Sequence, residues 1–471
     1  VALMAQAFPN HTSEQLVDRI LASANNVWFT PTGETTFTTH GASIKHGYHS
    51  TWGHGVPDFY AAMSPITTSK NPLSLGGGGG GGGSGGGGSG GGSIPFAKLT
   101  KHAVSLTSFS TSSSLGDAIY NGLANKSVYA YDALNGGFKL NISDFINYKN
   151  LEEQKIIASL KEEISYLKNF DYEKDTIIKE IDLNNFSGEF INFKDKYNQG
   201  LSFTLNQPNI AVQNFNLYNN NFYKNPFISE NKGVGFNNKF YFLGNDILIG
   251  YNNSKVNPLT NINKDLIVPI ETLAMSINVN NNNFDSLSFT TGIMKEDKTF
   301  LLSETEGAFK MNNDGNLSNF YGFNLSKKLN NFGNLNINTM IGSSKTDNNL
   351  NSIIVDASNV VSSSFEINYE LKNIFKKDQF GVSFSQPNRV EKGDMTFRLM
   401  GLADKNGILP YKDHKIELAP SGRQKDLTIS YYRNHSNNFK TGFKTIITDD
   451  MSHIKDSKLK SNFMLTTSLT F

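Results

Sequence analysis

Residues 462–471 read NFMLTTSLTF, and this stretch decides the fold. In an extended chain, successive side chains point to opposite faces. One face of the stretch then carries these residues: Phe463, Leu465, Thr467, Leu469 and Phe471. A period of two held over about ten residues is typical of a tilted strand that crosses a bilayer. The stretch is predicted to be a transmembrane β-strand that ends on an aromatic residue.

The same alternation recurs upstream, in residues 321–326, 335–342 and 365–372. Each segment places aromatic and aliphatic side chains on one face and polar side chains or glycine on the other, as a two-faced strand does. Clusters of Asn, Gly, Asp and Ser separate the segments and predict turns. Their spacing predicts about a dozen antiparallel strands over residues 177–471, the size of a medium barrel.

Two features of these segments favour a membrane barrel over a soluble sandwich or barrel, which alternates in the same way. Glu366, Glu370 and Lys372 lie opposite an unbroken apolar row, as lumen and lipid faces require. Phenylalanine and tyrosine number 35 and 18 against 2 tryptophans, and they recur near predicted strand ends at residues 240–242 and 320–323, as in an aromatic girdle. No window of about 18 apolar residues occurs, so this chain could cross a membrane only as a closed barrel.

Composition removes several classes of function. The formal net charge is +1 and the lysines are spread among asparagines, so no binding of nucleic acid is predicted. The chain has no cysteine, which excludes thiolate catalysis, disulfides and cysteine-ligated zinc. Its glycine-rich run lacks the Lys-Ser/Thr ending of a phosphate loop, and no cofactor is predicted.

The first residues predict short helices. One covers residues 1–8 and is stopped by Pro9, and Ser13 can cap a second. The buried face of this second helix is predicted to carry four apolar residues: Leu16, Val17, Ile20 and Leu21. A third helix is expected to begin at Pro57, within GHGVPDFYAAMSP. Because the chain opens on VALMAQAF, with neither an initiator Met nor a signal segment, its amino end is expected to be a truncation.

The order of these pieces resembles the carboxyl-terminal end of a subtilisin-like serine protease domain. In that family a helix after the nucleophile, a capped helix and a G-H-G-hydrophobic-P-D turn into a last helix follow one another. The corresponding parts here are residues 1–8, 13–26 and 52–63. The family's Asp, His and Ser motifs do not occur in the chain, so no catalytic residue is carried over. The chain is predicted to be inactive as a peptidase by itself.

Residues 76–92 are glycine apart from Ser84 and Ser89, a composition typical of a flexible linker. An engineered spacer would have the same composition. The flanking segments NPLSL and SIPFAKL favour a native linker, because they read as continuous low-complexity sequence. The domain boundary is therefore predicted to fall inside this run.

Three further motifs resemble translocator barrels of subtilisin-like autotransporters: LGDAIYNGLANKSVYAYDALNGGF at residues 115–138, FSQPNRVEKG at 384–393 and LAPSGRQKDL at 418–427. With the protease-like segment they follow the family's own order. The motif residues of the last two are as follows: Gln386, Pro387, Arg389, Pro420, Ser421, Gly422 and Arg423. The final Phe471 resembles the signal that the barrel-assembly machinery reads in outer-membrane proteins.

Residues 150–169 have the strongest helical period of the chain, with an apolar stripe and a charged flank. The autotransporter resemblance implies a helix that fills the pore, and this segment or residues 115–126 could be that plug. The alternative is a helix outside the pore, in the periplasm or at the surface.

Two candidate sites are weighed against structural roles. Zinc could bind among four histidines that lie close in sequence: His40, His46, His49 and His54. A hydrolase triad could use one of three others: His414, His435 or His453. The spacing of the four histidines does not place them on one face of a helix. The spacing of the other three does not bring a nucleophile, a base and an orienting residue together. No metal or catalytic site is therefore predicted.

The sequence thus predicts a mainly β fold, an antiparallel outer-membrane barrel of about 12 strands with a pore helix, preceded by a small α-rich protease remnant. Its predicted segments are a remnant over residues 1–65, a linker over 66–114, a pre-barrel helical region over 115–176 and the barrel over 177–471. The resemblance implies type V secretion by a monomer at the bacterial outer membrane, with the passenger at the cell surface. Its partners would be outer-membrane lipid, the assembly machinery and its own passenger. A passive porin or adhesin barrel and a soluble secreted all-β binding protein are the alternatives.

Overall fold

The structure is a computed structural model of the chain. It describes residues 1–37, 44–67, 92–93, 108–132, 134–148, 189–194, 200–208, 226–227, 232–256, 268–281, 284–297, 299–311, 315–329, 333–346, 352–404, 408–436 and 439–469. The predicted helix over residues 150–169 and the final Phe471 lie outside these ranges. Within them, no helix is both long and apolar enough to span a membrane.

The elements before the main sheet fall into two groups. The amino-terminal unit, residues 1–67, contains α1 (Ala2–Ala7), α2 (Ser13–Ala22), β1 (Gly33–Phe37), β2 (Ile44–Tyr48), α3 (Phe59–Met63) and β3 (Ile66–Thr67), and β3 pairs with β4 (Gly92–Ser93). The anchor segment, residues 108–148, contains β5 (Ser108–Ser110), α4 (Ala118–Leu123), β6 (Ser127–Tyr131), β7 (Gly137–Asn141) and β8 (Ile146–Asn147).

Within the described residues the main sheet has 13 strands, close to the dozen predicted, and each ladder joins antiparallel neighbours. Its strands are β9 (Glu189–Lys194), β10 (Gly200–Pro208), β11 (Lys232–Phe242), β12 (Asn245–Val256), β13 (Val268–Asn281), β14 (Phe284–Glu296), β17 (Asn316–Lys328), β18 (Asn334–Lys345), β20 (Val360–Lys372), β21 (Asp378–Lys392), β24 (Lys425–Ser436), β25 (Phe439–Asp449) and β26 (Lys460–Leu469). Connections between them carry β15 (Thr299–Phe300), β16 (Ser303–Glu306), β19 (Ile354–Ala357), β22 (Asp394–Met400) and β23 (Tyr411–Glu417).

The two ends of the main sheet differ in the length of their connections. At one end, the turn end, the connections are residues 195–199, 243–244, 282–283, 329–333, 373–377 and 437–438. At the other, the loop end, they are residues 209–231, 257–267, 297–315, 346–359, 393–424 and 450–459. Because consecutive strands are antiparallel neighbours, short and long connections alternate between the ends.

Burial across the main sheet is the reverse of that in a soluble sheet. The buried face carries many polar side chains, and Ser362 and Asn368 in β20 have 0% of their surface exposed. A smaller number of apolar side chains, such as Met294 and Met340, lie on the same face. The opposite face carries large apolar side chains that are open, such as Tyr321 at 61% and Leu465 at 71%. Polar groups meet across neighbouring strands on the buried face, as where the Oγ atoms of Ser318 and Ser344 lie 2.7 Å apart.

The alternation predicted from sequence is confirmed strand by strand. In β26 the odd-numbered residues from Phe463 to Leu469 are exposed and the residues between them are half-buried. In β18 the predicted polar row holds, because Asn336 and Asn338 are buried and Ile341 is exposed. The period of two therefore identified both the strands and their faces.

One aromatic prediction is wrong. Residues 320–323 lie in the middle of β17 rather than at its end, so they cannot form a girdle there. Phe320 is on the buried polar face, since it shares the parity of Ser318. Its ring stacks on Phe227 from the β10–β11 connection, with centroids 5.4 Å apart. Residues 240–242 do lie at the end of β11, as expected.

The edges of the main sheet are β9 and β26. The closed barrel predicted from the sequence would require the last strand to pair with the first. Among the described residues no ladder joins β26 to β9, so closure of the barrel stays a prediction.

In the amino-terminal unit, α2 begins one residue earlier than its predicted cap implies. Thr12 is the N-cap, and its hydroxyl and the side chain of Gln15 form a reciprocal capping box. The predicted apolar face is also wrong in part, because Val17 is half exposed and Arg19 is completely buried. Arg19 is held inside by an ion pair that sequence periodicity cannot detect.

The predicted helix over residues 115–126 exists as the shorter α4, and it packs against β23 at the loop end. A Cβ on its Gly122 would collide with Ile416, so helix and strand are in close contact. Ile119 and Leu123 of α4 belong to one buried apolar cluster with Phe320 and Met340 of the main sheet, and a role of this helix as a pore plug stays a prediction. The stretch predicted as linker, residues 66–114, also ends in structure, since β5 pairs with β16.

Candidate functional site

The motifs FSQPNRVEKG and LAPSGRQKDL meet at the loop end of the main sheet. The ladder of β21 with β24 stops at the pair Ser385 and Asp426, and the last residues of β21 run on without β24. Opposite β20 the register of β21 shifts between Gln386 and Arg389. Pro387 lies in this irregular stretch, where its missing N–H costs little. Because the end of β21 is not paired with β24, it can turn toward LAPSGRQKDL, the second motif.

Arg389 binds the main chain of the second motif directly. Its Nε donates to the carbonyl oxygen of Gly422 at 2.8 Å, and its Nη2 donates to that of Pro420 at 2.8 Å. A planar guanidinium presents its donors in a fixed fork, so two bonds to one turn set the position of that turn. The third guanidinium nitrogen, Nη1, donates to Oε2 of Glu391 at 2.7 Å.

Glu391 joins the two motifs through a shared carboxylate. Its Oε2 accepts from Arg389 and also from Nη2 of Arg423 at 2.6 Å, while its Oε1 accepts from the Ser363 hydroxyl at 2.7 Å. Arg423 in turn donates from Nη1 to Oε1 of Gln386 at 2.6 Å. The carboxylate thus neutralises two cations that would otherwise repel each other.

Asp117 connects the anchor segment to the same turn. The backbone N–H of Ser421 donates to its Oδ1 at 2.9 Å, and the Ser421 hydroxyl donates to its Oδ2 at 2.6 Å. Asn121, one turn along α4, donates to Oδ2 at 2.7 Å. The carboxylate is buried and accepts three hydrogen bonds, so it fixes α4 against the loop end. We name the whole set the clasp: Asp117, Gln386, Arg389, Glu391, Ser421 and Arg423.

The connection between β25 and β26 completes the surroundings of the clasp. The backbone N–H of Gly422 donates to the carbonyl oxygen of His453 at 2.7 Å, and the N–H of Lys455 donates to the Ser421 hydroxyl at 3.0 Å. Gly116 has φ +47° and lies so close to Ser452 that a Cβ would come within 2.5 Å of its carbonyl oxygen. Glycine is required at this approach.

The clasp is suited to binding chain segments together rather than to catalysis. The Ser421 hydroxyl donates to the Asp117 carboxylate and accepts from the backbone N–H of Lys455, so it joins three separate segments of the chain. The histidines considered for a triad lie on separate elements: His414 in β23, His435 in β24 and His453 in the 3-10 helix Met451–His453. Burial, followed by the charge of Lys126, lowers the pKa of His414.

Both ring nitrogens of His453 face main-chain groups. Its Nδ1 accepts from the N–H of Gln424 at 2.9 Å, and its Nε2 lies 3.1 Å from the carbonyl oxygen of Asn388. The first bond requires an unprotonated Nδ1, so Nε2 carries the proton. His453 is thereby committed to holding the β25–β26 connection.

The histidines weighed for zinc do not form a described metal site. His46 and His54 approach through their Nδ1 atoms at 3.3 Å, and Nε2 of His46 lies 2.9 Å from the carbonyl oxygen of Ala24. Burial and the neighbouring His46 lower the pKa of His54. His49 contacts Phe29, and His40 lies outside the described residues. Across the described ranges, no group of three or more metal-binding side chains is present.

The structure brings the predicted motif residues together at one place. All seven, from Gln386 to Arg423, lie in the clasp or in the two segments that it joins. Sequence reasoning missed Asp117 and Glu391 as individual partners, although both lie inside the quoted motifs. The sequence did contain a signal for them, because each is an acidic residue within a motif: Asp117 in residues 115–138 and Glu391 in residues 384–393. The predicted assembly signal, Phe471, lies outside the described residues.

Comparison with known proteins gives little further identification. No protein-family model matches the chain, and no curated protein matches it. Among solved structures the chain is similar to OmpTdeltaL8, a loop L8 deletion mutant of OmpT, which is an outer membrane protein of Vibrio cholerae. The similarity covers 60% of this chain and 78% of that one, at 7% sequence identity and a TM-score of 0.37.

Proposed function

We propose that this chain is an outer-membrane β-barrel that acts as the translocator of a subtilisin-like serine protease autotransporter. The observation that carries the proposal is the reversed burial of the main sheet, with apolar rows outward and polar rows inward. From β11 to β26 its strands have 10 to 15 residues. A tilted strand needs about 9 to 11 residues to cross the hydrocarbon core, so these strands are long enough.

The two ends of the main sheet support an orientation. Outer-membrane barrels have short turns on the periplasmic side and longer loops outside the cell. In that orientation the loop end faces the exterior. The anchor segment lies at this end, because Phe109 pairs with Thr305 and Asp117 binds Ser421. The amino-terminal unit contacts the anchor segment and would lie outside as well.

This orientation implies transport. The amino-terminal unit and the anchor segment precede the spanning strands in the chain. In this orientation they lie on the exterior side, so they must cross the membrane. The amino-terminal unit, with its resemblance to the end of a subtilisin-like domain, would be the passenger remnant. The partners would be outer-membrane lipid on the apolar rows, the barrel-assembly machinery at Phe471 and the passenger at the loop end. The chain would act as a monomer, since one chain supplies the 13 strands of the main sheet.

A passive porin is the second candidate, and the inner face of the main sheet argues against it. Phe227 is 1% exposed and lies on that face, stacked on Phe320. A Cβ at Gly342 would collide with the Phe227 ring, so the ring fills the space above that glycine. The Thr272 hydroxyl donates to the carbonyl oxygen of Phe227 at 3.3 Å and holds it there. This apolar group reduces the open cross-section.

The third candidate, a soluble secreted all-β binding protein, conflicts with the exposed apolar rows, because monomeric soluble proteins rarely expose large contiguous apolar patches. Carbonate washing separates the two possibilities. An integral barrel stays in the membrane pellet, whereas a soluble protein leaves it.

The proposal can be tested by finding which side of the membrane each end of the main sheet faces. Single cysteines can be introduced for labelling, because the chain has no native cysteine. Thr51→Cys places a thiol on the exposed surface of the amino-terminal unit, and Lys376→Cys places one at the turn end. On intact Gram-negative cells, a membrane-impermeant maleimide should label Thr51→Cys and should label Lys376→Cys only after lysis. Labelling of Lys376→Cys alone on intact cells would contradict the proposal.

A further inference from the structure

A buried ion pair joins the amino-terminal unit to the anchor segment. Nη2 of Arg19 lies 2.7 Å from Oδ2 of Asp132, and both side chains are 0% exposed. Arg19 also donates from Nε to the carbonyl oxygen of Ala62 at 2.6 Å and from Nη2 to that of Ser64 at 2.9 Å. Its guanidinium lies over the Phe8 ring, 4.1 Å from the centroid. The cation is therefore held by its own unit and neutralised by the other.

Asp132 organises the receiving side with both of its oxygens. Oδ1 accepts from the backbone N–H groups of Leu134 and Gly136, at 3.0 and 2.8 Å. Oδ2 accepts from Arg19 and from the N–H of Ile66 at 2.9 Å. Four donors surround this carboxylate, and two of them come from the amino-terminal unit. Separating the two parts would leave buried charges unpaired, which proteins strongly disfavour.

Apolar contacts surround the ion pair. Leu134 of the anchor segment is completely buried in a cluster formed otherwise by the amino-terminal unit: Ala22, Phe37, Ile44 and Ile66. Phe8 packs edge-on against Phe138, with ring centroids 5.8 Å apart. At Gly136 a Cβ would lie 2.7 Å from Nη1 of Arg19, so only glycine allows this approach. The interface combines a specific charge pair with a hydrophobic core, as stable interfaces do.

The anchor segment is in turn fixed to the loop end at points away from this interface. The Tyr131 hydroxyl donates to the carbonyl oxygen of Gly401 at 3.1 Å and accepts from the N–H of Ala403 at 2.6 Å. Burial raises the pKa of Tyr131 above its ordinary value. The clasp holds the same segment through Asp117. The ion pair thus connects the amino-terminal unit, through the anchor segment, to the main sheet.

The covalent connection between the two parts runs through the glycine-rich run at residues 76–92. We propose that the anchor segment is a docking surface that retains the passenger noncovalently, so that the amino-terminal unit stays on the barrel after this run is cut. The inference rests on the proposed function for its setting at the cell surface. Retention itself depends on Arg19, Asp132 and the contacts around them, together with the pairing of β3 with β4 on the other side of the cut.

The test uses the full chain in outer-membrane vesicles, with the recognition sequence of a site-specific protease inserted between Gly80 and Gly81. After complete cleavage the vesicles are sedimented, and the amino-terminal unit is quantified in the pellet and the supernatant. The inference predicts that most of the unit stays in the pellet. Asp132→Asn and Arg19→Met should each raise the released fraction at least tenfold. Lys45→Met, which breaks an exposed pair with Glu34 in the same unit, should leave the released fraction unchanged.

A substitution within the amino-terminal unit could release the unit by unfolding it. Asp132→Asn avoids this explanation, because it leaves the sequence of the amino-terminal unit unaltered. Resistance of the released unit to limited proteolysis would show that it left the barrel folded, as the inference requires. Release of the wild-type unit on cutting, or equal release from the Asp132→Asn and Lys45→Met variants, would overturn the inference. Neither result would affect the proposed function, which is tested separately by the membrane pellet and by the labelling of Thr51→Cys and Lys376→Cys on intact cells.

Discussion

The amino-terminal unit and the main sheet bury opposite kinds of side chain. Met4, Phe8 and Leu16 fill the inside of the amino-terminal unit and its contact with the anchor segment, as in any water-soluble domain. In the main sheet Ser362 and Asn368 are inside, and Tyr321 lies outside. The same chain therefore carries two opposite burial patterns, and the change of pattern marks where the main sheet begins better than any motif.

Phe227 is an exception to the polar inner face, and replacing it should have the largest effect. Phe227→Ala removes a buried ring from the space between Phe320 and Gly342, which should cost about 3 to 5 kcal/mol of stability. The cavity should also widen the path through the barrel, so conductance in planar bilayers should rise. The control is Phe236→Ala, which alters an aromatic on the outward face. Equal conductance in the two variants would show that Phe227 does not restrict the interior.

Lysine substitutions at neighbouring positions of β17 test the comparison of faces. Phe323 faces outward and Asn324 faces the buried polar side. Phe323→Lys should destabilise the folded barrel by about 2 to 4 kcal/mol, because the charge enters hydrocarbon. Asn324→Lys should cost less, because a polar interior can solvate the ammonium group. Urea unfolding in lipid vesicles measures both changes. A larger loss of stability for Asn324→Lys than for Phe323→Lys would mean that lipid contacts the face that carries Asn324, contrary to the proposal.

Arg389→Lys tests the clasp, in which Arg389 joins β21 to the turn that contains Pro420 and Gly422. Lysine keeps the positive charge but cannot form the fork to Gly422 and Pro420, so the loop end should lose about 1 to 3 kcal/mol of local stability. Hydrogen exchange at residues 418–424 should report this loss. Arg398→Lys is the matched control, since its pair with Asp413 is exposed and contributes little. Equal exchange in both variants would mean that the clasp does not stabilise the turn.

The smallest effect concerns pH at the loop end. Burial, and then the charge of Glu306, raises the pKa of Glu304 to about 7. The folded state therefore holds a proton that the unfolded state releases above its ordinary pKa of 4.5, so stability should fall as pH rises from 4.5 to 7. Glu304→Gln should reduce this dependence, by on the order of 1 kcal/mol. Thermal unfolding at pH 5 and pH 8 would show it. An unchanged pH dependence would contradict the assignment.

The fold was largely predictable because a strand carries its own pattern. The alternation in β17, β18, β20 and β26 identifies each strand and its faces without knowledge of its neighbours. The meeting of the motifs was predictable only in part. Arg389 and Ser421 lie in quoted motifs, but their contacts depend on where β21 leaves β24, and this is set by pairing between distant segments.

Other features could not be predicted because they depend on a single residue meeting a remote partner. Arg19 lies on a helix face that periodicity assigns to solvent, and its burial depends on Asp132, far along the chain. Phe227 lies in a connection without any pattern, yet it occupies the inner face beside Phe320. The hydrophobic period of a strand or helix depends on the medium at each of its faces, whereas the contacts of Arg19 and Phe227 depend on the tertiary fold.

The central claim is that the apolar face of the main sheet contacts lipid. Nitroxide side chains placed one at a time at Phe463, Met464, Leu465 and Thr466 of β26 measure this directly, because relaxation by oxygen reports lipid and relaxation by a water-soluble nickel chelate reports water. In outer-membrane vesicles, the account predicts strong relaxation by oxygen at residues 463 and 465 and weaker relaxation at 464 and 466. Greater access of the nickel chelate to residues 463 and 465 than to their neighbours would contradict it.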